Sequence, residues 1–79
     1  MLKTAVVRDT MDRTNIYGIV TFNDEEIKYR QLQREFYNAK IRQANAGKRK
    51  VNVMDLVEDL QQNGIHVQFA EVSNNTINV

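Results

Sequence analysis

Apolar positions alternate with a period of two near both ends of the chain and recur at helical spacing between them, so the pattern predicts strands flanking helices. The first run, LKTAVVRD from Leu2 to Asp9, is rich in β-branched residues and suits a strand. After the polar connection TMDRT, the run NIYGIVTF reads as a second strand, with Ile16, Gly18, Val20 and Phe22 on one face and Tyr17, Ile19 and Thr21 on the other. Together they predict an N-terminal hairpin, although no Asn-Gly or Asp-Gly pair sets the turn type. Glycine at position 18 permits a bulge or a close backbone approach; packing of a helix aromatic above it is the favoured reading.

The acidic stretch NDEE supplies a helix start. Asn23 or Asp24 is placed to cap free amides, and the pairs Asp24 with Lys28 and Glu26 with Arg30 have the acid-first i,i+4 spacing that supports a helix. Helix formers then continue to Ala46, with Gly47 as terminator. A rival reading pairs IVTF with EIKY as a tight hairpin and delays the helix to about Gln31. A second helix is signalled more sharply: Asn52 as cap, Asp55 three residues later, and Val53, Leu56, Val57 and Leu60 at i, i+3, i+4, i+7. Gly64 suits the left-handed position after its end, with Ile65 packing back on Leu60.

The run IHVQFAEV sets Ile65, Val67 and Phe69 against His66, Gln68 and Ala70, as in a half-buried strand. The tail at 73–79 is polar and reads as frayed, with Ile77 and Val79 able to add a little edge pairing. The order is therefore ββααβ, and the expectation is a single small α+β domain over 1–79. In it, two helices pack on one face of a three-stranded antiparallel or mixed sheet.

At seventy-nine residues the chain is near the size where one core becomes marginal and a partner subunit helps. It has no cysteine, which removes disulfides, thiolate nucleophiles and cysteine-based zinc sites. The N-terminal segment has only a short apolar patch broken by charge, neither a signal core nor a membrane span, so a cytoplasmic protein is expected. The sequon Asn74-Asn75-Thr76 then has no significance.

The net charge is only +1, but its distribution is uneven. Between Ile27 and Lys50 stand the cations Lys28, Arg30, Arg34, Lys40, Arg42, Lys48, Arg49 and Lys50 against the single acid Glu35. Between Val51 and Val72 stand Asp55, Glu58, Asp59 and Glu71 with no lysine or arginine. Opposite fields on the two halves suit self-association as readily as nucleic-acid binding.

On the long helix, Tyr29, Leu32, Phe36 and Ala39 gather as a core stripe, and Arg30, Arg34, Tyr37 and Ile41 form a second stripe elsewhere on the wheel. Arginine and tyrosine beside an aliphatic residue make a recognition composition, combining contact area with directed hydrogen bonds. The plain alternative is that Tyr37 and Ile41 pack on the second helix while the arginines snorkel. A phosphate-binding role is open to Lys40, Arg42, Lys48, Arg49 and Lys50; for the last three a solvated basic turn is the favoured reading. GKR is no P-loop, since Arg42 stands where that motif needs glycine and Arg49 where it needs Ser or Thr.

No catalytic constellation, metal site, cofactor, membrane contact or small-molecule substrate is indicated: His66 is the lone histidine and falls on the non-core phase of its strand. The reading is a small non-enzymatic macromolecule-binding or regulatory protein, acting through Arg30, Arg34, Tyr37 and Ile41 on a protein partner or on itself as a homodimer. Its alternative is a nucleic-acid-binding regulator that contacts phosphates through the same helix and the basic loop at 48–50.

Overall fold

A computed structural model describes residues 1–8, 16–72 and 76–78. The elements are β1 (Leu2–Arg8), β2 (Ile16–Asn23), α1 (Tyr29–Asn45), β3 (Lys50–Asn52), α2 (Val53–Gln62), β4 (Val67–Val72) and β5 (Thr76–Asn78). β1, β2 and β4 form an antiparallel sheet with β2 in the centre, and β3 pairs antiparallel with β5 as a second, two-stranded unit. The fold is the expected α+β arrangement of ββααβ order with two short additions, β3 between the helices and β5 after β4. The turn expected at Thr10–Thr14 lies outside the described residues.

One face of the main sheet is the floor of the core. Ala5 and Val7 of β1, Val20 and Phe22 of β2, and Val67 of β4 are buried, with Phe69 packed against them. Leu32, Phe36 and Ala39 of α1 and Leu56, Val57 and Leu60 of α2 supply the roof. The expected phase holds in β2 at Gly18, Val20 and Phe22, whereas Ile16 is exposed. Beside Gly18 the structure shows the bulge rather than simple packing: Val7 opposes Gly18 but Arg8 opposes Ile16, which leaves Tyr17 unmatched. A second shift follows on the β4 side, where Ile19 opposes Glu71 and Val20 opposes Phe69.

The long helix starts later than its acidic lead-in predicts. β2 runs through Asn23, residues 24–26 turn, and α1 begins at Tyr29 after Lys28, which offers no side-chain cap. The EIKY strand of the rival reading does not form either. Asn23 explains the shift, because its side chain accepts from the Glu25 amide at 2.9 Å and its carbonyl from those of Glu26 and Ile27 at 3.0 and 3.1 Å. The groups expected to cap a helix close an Asx turn instead. Asp24 turns to Lys3 at 3.1 Å and to the Met1 amino group at 3.2 Å, and Glu26 turns to His66, so the expected pairs with Lys28 and Arg30 are not made. Ile27 is buried and seals this corner of the core.

Both helices stop as their glycines require. Gly47 and Gly64 have φ of +92° and +82°, the left-handed conformation that costs glycine little. After α2, the Ile65 amide donates to the Leu60 carbonyl at 2.9 Å and that of Gly64 to Gln61 at 3.1 Å. After α1, Lys48 donates to Gln43 at 3.1 Å and Gly47 to Ala44 at 3.0 Å. These are two Schellman motifs, of which the second was not expected. The α2 start is the expected capping box: Asn52 Oδ1 accepts from the Asp55 amide at 2.9 Å, and Asp55 Oδ2 accepts from the Asn52 amide at 3.1 Å.

Between these signals the chain was expected to be a plain connector. Lys50, Val51 and Asn52 instead pair with Asn78, Ile77 and Thr76, so residues 76–78 form a strand rather than a frayed end. Val51 is buried between exposed Lys50 and Asn52, and this burial holds the short strand against the core.

Candidate functional site

The outer face of α1 is set by what its inner face buries. With Leu32, Phe36 and Ala39 turned into the core, helical geometry turns Arg30, Arg34, Tyr37 and Ile41 outward, and all four are exposed. Tyr37 keeps 48% and Ile41 40% of its accessible surface, so neither is absorbed into the packing against α2. Tyr29, assigned to the core stripe, lies at its rim: it is exposed on one side and tilts against Phe22, with ring centroids 6.4 Å apart. The stripe from Arg30 to Ile41 spans about 16 Å at 1.5 Å per residue. Lys48, Arg49 and Lys50 follow beyond the C-terminal end of α1, and all three are exposed.

The helix contact is made by other residues. Asp59 of α2, with a side chain 10% exposed, accepts from Arg42 Nε at 2.9 Å and from Gln43 Nε2 at 2.9 Å. Arg42 Nη2 closes on the same oxygen as Nε, and Asn63 Nδ2 reaches it at 3.2 Å. Burial pushes the Asp59 carboxyl up, but these donors outweigh it, and its pKa falls below the usual carboxylate range. The bond to Asp59 raises Arg42 in turn. Arg42 is thus engaged within the fold rather than presented to a phosphate. Lys40 is half-buried on α1.

Electrostatically, the fold consumes its acids unevenly. Asp24 is held below its ordinary pKa by the hydrogen bond from Lys3 and by the Met1 amino group. Glu25 also meets that amino group, Glu26 meets His66 Nδ1 at 3.2 Å, Asp55 caps α2, and Asp59 holds Arg42. Among the described residues, no ion pair engages Arg30, Arg34, Lys48, Arg49 or Lys50. The outward field around α1 is therefore more basic than a net charge of +1 suggests.

The internal pairing of these acids also weakens the electrostatic case for self-association. The sequence sets an acidic half against a basic one, yet within the acidic half Asp55 and Asp59 are engaged by the cap and by Arg42, which leaves Glu58 as the exposed acid of α2. The network around Asp59 was not visible as a site in the sequence. Its only signal was an acid and an arginine seventeen residues apart, which says nothing without the fold. His66 is exposed and paired, as a residue on the outer phase would be. No group of three or more His, Asp or Glu side chains placed to hold a metal occurs among the described residues, and no helix among them is long and apolar enough to cross a membrane.

Searches against protein-family models, curated proteins and solved structures find no match to this chain.

Proposed function

We propose that this chain is a small cytoplasmic binding protein, without catalytic activity, that recognises an acidic surface on a protein partner through the outer face of α1. Tyr37 and Ile41 supply the desolvated contact area, Arg30 and Arg34 supply directed donors, and Lys48, Arg49 and Lys50 raise the rate of encounter by long-range attraction. The observation that carries this reading is the unequal use of charge: Asp24, Glu25, Glu26, Asp55 and Asp59 are tied into the fold, whereas these five cations have no intramolecular ion-pair partner among the described residues. Exposed Tyr37 and Ile41 between them mark the face as more than a solvated basic stripe.

The exposed cations at 48–50 also favour a second reading, contact with nucleic-acid phosphates. Fluorescence anisotropy with two probes separates them: an amphipathic peptide rich in Glu and Leu, and a mixed-sequence single-stranded oligonucleotide. The protein-partner reading expects peptide binding that survives 0.5 M salt in part and falls about tenfold or more with Tyr37→Ala or Ile41→Asp. The nucleic-acid reading expects oligonucleotide binding that weakens steeply with salt and falls for all sequences alike with Lys48→Ala/Arg49→Ala. If neither probe binds more tightly to the native protein than to an Arg30→Glu/Arg34→Glu variant, both readings fail.

A further inference from the structure

Arg30, Arg34, Tyr37 and Ile41 stand at steps of four, three and four along α1, and a further step of three reaches Ala44, which is exposed as well. Steps that alternate between three and four average about 3.5 residues, the repeat by which one helix keeps a single line of side chains against another. The buried stripe of Leu32, Phe36 and Ala39 falls on the far side of α1, so this line runs along the outer surface. From Arg30 to Ala44 it extends about 21 Å at 1.5 Å per residue. Gln31, Asn38 and Asn45 flank it on one side, Gln33 and Lys40 on the other. Glu35, the single acid of α1, stands off the line and is half-buried, on the side of Arg42.

Building on the protein-partner reading above, we infer that the partner element is one amphipathic α-helix packed lengthwise on α1. Its carboxylates face Arg30 and Arg34, and its apolar side chains face Tyr37, Ile41 and Ala44. Spacing selects a helix over an extended peptide. Side chains along a helical seam recur on average every 5.2 Å or so, whereas those on one face of a strand recur about every 6.7 Å. A strand laid along α1 therefore slips by about 1.5 Å at each step and takes about three steps where a helix takes four. Charge selects an acidic helix over a second copy of α1. The line holds no acid, so another α1 in any register would cover Arg30 and Arg34 without giving either a carboxylate, and a covered cation without a counter-charge is costly. Four of the five flanking side chains are uncharged amides, which leaves selection of the partner's sign to the arginines of the line itself.

Fluorescence anisotropy with labelled peptides of equal composition tests it. The seam peptide carries two Glu and three Leu at alternating steps of three and four on an Ala and Gln background, and is made with the Glu pair at either end so that both chain directions are offered. The control holds the same residues shuffled so that no helical face collects them. The better seam peptide binds the native protein about tenfold or more tighter than the control and gains helical far-UV signal on binding. Ala44→Lys weakens it about fivefold or more, whereas Gln68→Lys, which adds the same charge at an exposed position of β4, leaves it unchanged. Thermal unfolding checks that both variants stay folded. Equal binding of seam and shuffled peptides, lost for both with Arg30→Glu/Arg34→Glu, overturns the helix and leaves the protein-partner reading of α1 standing. Binding that ignores Ala44→Lys, or that brings no helical signal, overturns the helix in the same way. Self-association of the native chain in sedimentation velocity that Ile41→Asp abolishes overturns it in favour of a second copy. If no peptide binds, the helix and the protein-partner reading fall together.

Discussion

Removing the Asp59 carboxylate with Asp59→Ala tests whether this side chain ties α1 to α2. The carboxylate receives two bonds from Arg42 and further ones from Gln43 and Asn63, and only 10% of its side chain is exposed. A hydrogen bond to a charged group contributes about 1.5–3 kcal/mol. Arg42 is 40% exposed, however, and recovers water when its partner is lost, so the pair falls between the about 0–1 kcal/mol of a surface ion pair and the about 3–5 kcal/mol of a broken buried one. The expected loss is about 2 kcal/mol, which at an m-value near 1 kcal/mol/M lowers the urea midpoint by about 2 M. Arg42→Ala should cost at least as much, because it strands the more buried partner. A double-mutant cycle of the two should then show coupling of about 1 kcal/mol or more. A midpoint within 0.3 M of the native protein, or coupling below about 0.5 kcal/mol, would refute the reasoning.

The same residue sets a pH dependence. The folded-state pKa of Asp59 lies below its unfolded value, so its contribution is fully present above the unfolded carboxylate pKa of about 3.9 and is lost as pH falls through the folded one. Asp59→Asn should flatten the acid limb of a stability profile recorded below about pH 4, and an unchanged limb would show that other carboxylates carry it. Gly64→Ala forces a Cβ into φ +82° with open space around it, so the cost is backbone strain of about 1 kcal/mol, read as a lower melting temperature at unchanged far-UV spectrum. Asn52→Ala removes one half of the capping box and is expected to cost about 1 kcal/mol in chemical denaturation, most of which Asn52→Ser should restore.

Much of this architecture is legible in the chain. Periodicity located both strands of the hairpin, the apolar face of α2 and the phase of β4, because each buries one face and the burial shows as spacing. The α2 boundaries were legible because Asn52, Asp55 and Gly64 act on neighbours within five residues. Other features depend on partners distant in sequence. Asn23 and Asp24 carry the composition of a helix start, but Asp24 is drawn to Lys3 and the Met1 amino group across the hairpin. β3 is too short to have a period, and its partner lies more than twenty residues away. On α1 the wheel placed Arg30, Arg34, Tyr37 and Ile41 together, and the structure leaves them exposed. Arg42, by contrast, reads in the sequence as a candidate phosphate ligand, since nothing within one helix can show Asp59 on another.

Asn52 belongs to two structures at once: it pairs with Thr76 in the β3–β5 ladder, and its side chain opens α2. Two residues before it stands Lys50, the last of the basic triplet, which pairs with Asn78. No slack separates the ladder from the helix, so when the three-residue ladder opens, as short edge pairings do at low free-energy cost, the cation-bearing turn and the first turn of α2 loosen with it. The triplet is thus held from two sides, Lys48 by the end of α1 and Lys50 by β5, and amide exchange in β3 would report the order of the second.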